Sequence, residues 1–154
     1  MAVIASWALL VGLVMQASLL GANLFEAVVD VPNWRRPEGL AAYRTFTSVR
    51  NAGHFYRVLS PLTILVLLLA LALGWGTLAR NVLVGGALAA AVLAEAMTVA
   101  YFFPRNAKLF FANEAPAEPE AARLVGEWGR ANLARSALVA LGLVGGMIAG
   151  FGLA

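Results

Sequence analysis

The sequence contains no cysteine, which excludes a disulfide scaffold, thiolate metal sites and a cysteine nucleophile. Charge is scarce: Asp, Glu, Lys and Arg make up 12% of the chain, against about 25% in an ordinary soluble domain. A single histidine, His54, leaves no second one to ligate a haem. Neither HExxH nor Glu-x-x-His occurs, which removes zincin and ferritin-like di-iron chemistry. The lack of a G-x4-G-K-[ST] run argues against nucleotide hydrolysis.

What the chain has instead is apolar surface. Hydrophobic residues reach 62%, and the mean hydropathy is +0.82. With 154 residues it makes one domain, 1–154. Four apolar stretches, at about 2–25, 61–79, 81–103 and 132–153, approach the roughly 20 residues of a membrane-spanning helix. Pro32, Pro61 and Pro104 fall near their edges, where a missing N–H costs least. The first stretch has no basic residue ahead of it and exceeds the roughly 7–15 residues of a signal core, so it reads as a retained helix.

Ten of the eleven Lys and Arg residues lie in or beside two segments. Arg35, Arg36, Arg44, Arg50 and Arg57 separate spans one and two; Arg105, Lys108, Arg123, Arg130 and Arg135 separate, or begin, spans three and four. Only Arg80 lies on the other side, in a short turn. This bias places both long loops in the cytoplasm and both termini outside, as expected for a multi-pass inner-membrane protein. The fold class is all-α: an integral membrane four-helix up-down bundle. Pro119 with Glu118 and Glu120 starts the last helix well before its span, so that helix extends into the cytoplasm. The basic loops suit lipid headgroups rather than nucleic acid, and residues 33–57, with aromatics among arginines, suit the membrane surface.

The polar residues inside the spans carry the functional reading. Gln16, Asn23, Glu26 and Asp30 share one helical face by their spacing. Glu95, Thr98 and Phe102 share another, reaching Arg105 and Asn106. Trp128, Asn132 and Arg135 share a third, continued by Gly142, Gly146 and Gly150, a stripe that lets helices approach closely within the bundle or in a homo-oligomer. Gly86, opposite Glu95, reads as a packing surface. Glu95 lies about 12 Å from the cytoplasmic end of its span, where an acid costs roughly 2.5–3.5 kcal/mol and needs a partner, a proton or a wet cavity. Arg135 is the partner expected for it. Gln16, Asn23 and Asn132 serve more often as interhelical hydrogen-bond glue than in catalysis, and Trp34, Trp128 and Tyr101 as an interface belt. A single metal at Glu26, Glu95 and His54 is a weak alternative to a site with no cofactor.

Three segments are informative together: Gly21-Ala-Asn-Leu-Phe-Glu-Ala-Val-Val-Asp-Val-Pro-Asn-Trp34, Tyr101-Phe-Phe-Pro-Arg-Asn-Ala-Lys-Leu109, and Trp128-x3-Asn132-x2-Arg135. They resemble the anthrone-oxygenase-like family of small four-span membrane proteins, a domain of otherwise unknown function. The resemblance implies a four-span fold throughout the chain and, from fungal members, oxidation of anthrones to anthraquinones by dioxygen without metal or flavin, assisted by a histidine and an acid. By motif position it carries over Asn106, Trp128, Asn132 and Arg135 as site-lining residues. The expectation is a cytoplasm-facing intramembrane pocket for a small apolar or aromatic molecule. Glu95 or His54 would act as base, Arg135 would stabilise negative charge, and Asn23, Glu26, Thr98, Asn106, Trp128 and Asn132 would contact the substrate. The rival readings are a small-molecule binding or transport subunit, and a structural membrane protein without activity.

Overall fold

The computed structural model describes residues 2–47 and 51–152; Arg50 and residue 153, counted above in a loop and in the last span, lie outside the described residues. The described chain forms helices α1 (Ala2–Trp34), α2 (Pro37–Phe46), α3 (Ala52–Leu73), α4 (Leu78–Phe111) and α5 (Glu118–Gly150), with no strand among the described residues. All but α2 are long and apolar enough to cross a membrane. In the bundle α1 packs against α3 and α5, and α4 packs against α3 and α5, so each long helix has two neighbours. The outward surface is apolar, with Val3, Ile4, Trp7, Val14, Leu65 and Leu141 exposed. That is the arrangement lipid requires and water opposes.

Helix α3 starts at Ala52, not at Pro61. Asn51 has extended backbone and accepts the His54 backbone N–H through its side chain, while His54 Nδ1 receives the Asn51 backbone N–H at 3.3 Å, a reciprocal cap. Pro61 therefore lies inside the helix. Helix α4 likewise continues past 103 to Phe111. It does so through wide π-helical turns at Thr98–Phe102 and Ala107–Phe111, and α1 contains another at Glu26–Asp30. Two of these immediately precede Pro32 and Pro104. A proline ring crowds the carbonyl four residues back, here Val28 and Ala100, each inside a π turn. Widening the turn carries the helix through the proline rather than ending it.

The half of the bundle remote from the prolines is closed by small residues. A Cβ on Gly142 would meet Ala90 Cβ at 2.6 Å and Gln16 Nε2 at 2.9 Å, and one on Gly146 would sit against Leu13. Around them Leu9, Leu13, Leu67, Val84, Ala87 and Ala149 form a core. The glycine stripe is thus consumed inside one chain at Gly142 and Gly146, which leaves only Gly150 exposed for contact with a second copy. Gly86 reverses the expectation: it faces outward, with nothing within 4 Å of an added Cβ. Gly142→Val is therefore expected to cost about 1–3 kcal/mol through overpacking, read as a lower melting temperature of the detergent-solubilised protein, whereas Gly86→Val changes it little.

At the other end α2 folds back instead of lying on a surface. Arg44 donates from Nη1 to the Leu109 carbonyl at 2.6 Å and from Nη2 to the Ala112 carbonyl at 2.5 Å, capping the end of α4. Leu40 and Tyr43 of α2 join Trp34, Phe102, Phe110 and Trp128 in a second core. Trp34 and Trp128, expected in an interface belt, are both 3% exposed with ring centroids 5.0 Å apart and edge-on.

Candidate functional site

Between this aromatic core and the polar faces of α1, α3, α4 and α5 lies a cavity of about 510 Å³. Small-molecule sites span roughly 300–1,000 Å³. Its walls combine rings (Trp34, Tyr43, Phe102, Phe110, Trp128) with the polar groups Glu26, Tyr56, Glu95, Thr98, Asn106 and Arg135.

Arg135 is the hub. Its Nη2 donates to Glu26 Oε2 at 3.1 Å and to Asn132 Oδ1 at 2.7 Å, and its Nη1 donates to Thr98 Oγ1 at 3.2 Å. The guanidinium lies 4.2 Å from the centroid of the Phe102 ring and 5.1 Å from that of Tyr56, within reach of cation–π attraction. The partner expected from the sequence was Glu95; the ion pair is with Glu26 instead, both side chains being less than a tenth exposed. The reason lies in the packing order. Helices α1 and α5 are direct neighbours, and Asn132 fastens them by donating to the Asn23 carbonyl at 2.8 Å, which brings Glu26 beside Arg135.

Tyr56 completes the cluster. Its hydroxyl reaches Glu26 Oε2 at 3.0 Å and Asn23 Oδ1 at 2.8 Å; with one proton it serves one of these acceptors at a time. The sequence reading placed Tyr56 among surface aromatics. The signal it overlooked is the buried stripe Tyr56, Ser60, Thr63, Leu67, Ala70, stepping by four and three along a single helical face.

Glu95 lines the cavity, yet it has no hydrogen bond or ion pair among the described residues. At the aromatic end Trp128 Nε1 donates to Asn106 Oδ1 at 2.8 Å, leaving the Asn106 amide N–H groups without a partner among the described residues. Trp34 Nε1 is also unpartnered among the described residues. Burial pushes the Tyr43 phenol above its ordinary range, reinforced by Asp30 and Glu26, so Tyr43 stays a neutral donor at the cavity wall.

The expected site residues thus divide. Glu26, Glu95, Thr98, Asn106, Trp128 and Arg135 share the cavity, while Asn23 and Asn132 stand behind it and hold Tyr56, Arg135 and α1 in place. Asp30 sits off this wall, and Arg105 turns away to Glu127 at 3.2 Å. His54 is exposed, takes part in the α3 cap and lines neither this cavity nor the one beside it, so the structure does not bring it to Glu95 and Arg135. No group of three or more His, Asp or Glu side chains able to hold a metal occurs among the described residues, so Glu26, Glu95 and His54 are not gathered into one.

The anthrone oxygenase family model matches residues 46–145, a stretch that holds Tyr56, Glu95, Thr98, Asn106, Trp128, Asn132 and Arg135. The chain belongs to the anthrone oxygenase family. No curated protein and no solved structure matches it. Within this family member, Glu26 and Trp34 reach the cavity from outside the matched stretch, with Asn23 behind them, so α1 supplies half of the ion pair.

Proposed function

We propose that this membrane protein binds a flat, lipid-partitioning aromatic ketone of the anthrone type in the 510 Å³ cavity and oxidises it with dioxygen, Glu95 acting as general base. The observation that carries this reading is an acid with no hydrogen bond or ion pair among the described residues, on the wall of a cavity it shares with aromatic rings and the Arg135 guanidinium. An anthrone carries a methylene flanked by two aromatic rings and opposite a carbonyl, so loss of one proton gives an anion delocalised onto the carbonyl oxygen. Glu95 takes that proton. The Arg135 guanidinium favours negative charge on the ligand, and the free N–H groups of Asn106 and Trp34 suit its oxygens. Dioxygen accepts electrons from the anion and bonds to the former methylene carbon. The second carbon-bound hydrogen passes as a proton to the outer peroxide oxygen as the O–O bond breaks, which forms the quinone carbonyl and hydroxide, and the hydroxide takes the proton held on Glu95 to leave as water. The sum is anthrone plus dioxygen to anthraquinone plus water.

Entry from the bilayer fits the same geometry. A second, more open cavity of about 660 Å³ lies between α1 and α3, faced by Ala22, Phe25, Phe46 and Phe55. It shares Glu26, Tyr43, Asn51, Ala52 and Tyr56 with the first, so an apolar ligand can pass sideways from lipid to the site.

The test is quinone formation, followed by its absorbance, when the purified protein in lipid nanodiscs receives an anthrone and oxygen. Turnover with consumption of one dioxygen per quinone supports the reading, and a rate equal to protein-free nanodiscs overturns it. Ala22→Trp, which fills the lateral cavity but not the inner one, is expected to lower kcat/KM while leaving kcat at saturation.

A further inference from the structure

Beneath the main cavity, toward the closed half of the bundle, lies a chamber of about 20 Å³ lined by Gln16, Asn23, Tyr56, Ser60, Glu95, Thr98 and Arg135, among others. One water needs roughly 10–15 Å³ and two to four polar partners. Four of these polar residues already have partners: Asn23, Tyr56, Thr98 and Arg135 bond to one another, to Glu26, or to the backbone. Three do not. Gln16 is fully buried, its Nε2 donates to the Ala87 carbonyl at 3.4 Å, and its Oε1 has no partner. The Ser60 hydroxyl and the Glu95 carboxylate also lack protein partners among the described residues. Unsatisfied buried polar groups are rare in folded proteins, and each calls for an explanation. Here the buried Gln16 Oε1 meets two further unpartnered groups, the Ser60 hydroxyl and the half-buried Glu95 carboxylate, on the wall of one water-sized space.

We propose that this chamber is a specific site for one water molecule, which joins Gln16, Ser60 and Glu95. For these three residues the donor and acceptor count closes. The water donates one hydrogen to Gln16 Oε1 and one to the Glu95 carboxylate, and accepts the hydroxyl hydrogen of Ser60, the three bonds typical of a buried water. Glu95 borders both spaces, so the water holds one face of its carboxylate and leaves the other toward the ligand. Gln16 and Ser60 are then positioning residues that act on Glu95 through the water. No proton leaves the pair in this arrangement; the water fixes the carboxylate by hydrogen bonds alone.

This assignment deepens the reading of Glu95 as base, and its test separates the two. Infrared spectra of the protein in nanodiscs contain the Glu95 bands, identified by their loss in Glu95→Gln. They should also contain a water O–H band that moves in water enriched in the heavy oxygen isotope. Gln16→Met, close in volume but without an acceptor, and Ser60→Ala are each expected to abolish that water band and shift the Glu95 bands. Given anthrone turnover, Gln16→Met should also lower kcat roughly tenfold, a fraction of what a general base contributes, with KM unchanged. A wild-type spectrum lacking the isotope-sensitive band, or Glu95 bands identical in all three proteins, overturns the water site. Absence of anthrone turnover beside an intact water signature overturns the oxidation alone.

Discussion

Glu26→Gln is expected to destabilise the folded protein by roughly 3–5 kcal/mol, because it leaves the Arg135 guanidinium buried with its counter-charge gone. Arg135 is 4% exposed, and a guanidinium cannot shed its charge by losing a proton. Asn132, Thr98 and the ring of Phe102 still face it, which places the expected loss toward the lower end. Arg135→Met strands the Glu26 carboxylate with Tyr56 as its remaining donor. The double variant Glu26→Gln/Arg135→Met removes both charges together, so it should be clearly more stable than the sum of the single losses predicts. Melting curves of the four proteins in one detergent measure this. Strictly additive losses would show that the two charges do not depend on each other.

Glu95→Gln is expected to do the opposite on both counts. Turnover should fall by roughly 10²–10⁴-fold, the contribution of a general base. The melting temperature should hold or rise, since Glu95 has no hydrogen bond or ion pair to a protein group among the described residues to lose, and an amide is easier to keep within an apolar span than a carboxylate. The two acids therefore form an internal control: one variant damages the fold, the other the chemistry. Unchanged turnover in a well-folded Glu95→Gln protein would reject the assignment of the base.

These contrasting roles were only half legible in the sequence. Polar residues spaced by threes and fours along apolar spans announce which helix face turns inward, and Gln16, Asn23, Glu26, Asn132 and Arg135 are indeed all buried. Which acid meets Arg135 is another matter. It depends on the order of helices around the bundle, a non-local property that Asn132 enforces through the Asn23 carbonyl. His54 attracted attention as the lone imidazole, but its partner stands three residues away in an Asn-x-x-His cap, a local signature that reports where α3 begins. Tyr56 was hidden by the arginines and aromatics around it, which look like a surface segment until Leu40 and Tyr43 are seen folded under Phe110 and Trp34.

The wide turns ahead of Pro32 and Pro104 have a consequence for how this chain tolerates changes of length. A π turn is an ordinary helical turn carrying one surplus residue. Taking one residue out of Val28–Val29 or Val99–Ala100 should therefore tighten the turn to ordinary pitch without rotating what lies on either side. Glu26 and Trp34, or Glu95 and Asn106, would keep their directions. The same deletion in the regular stretch between Gln16 and Asn23 would swing every later side chain by about 100°, away from the cluster it builds.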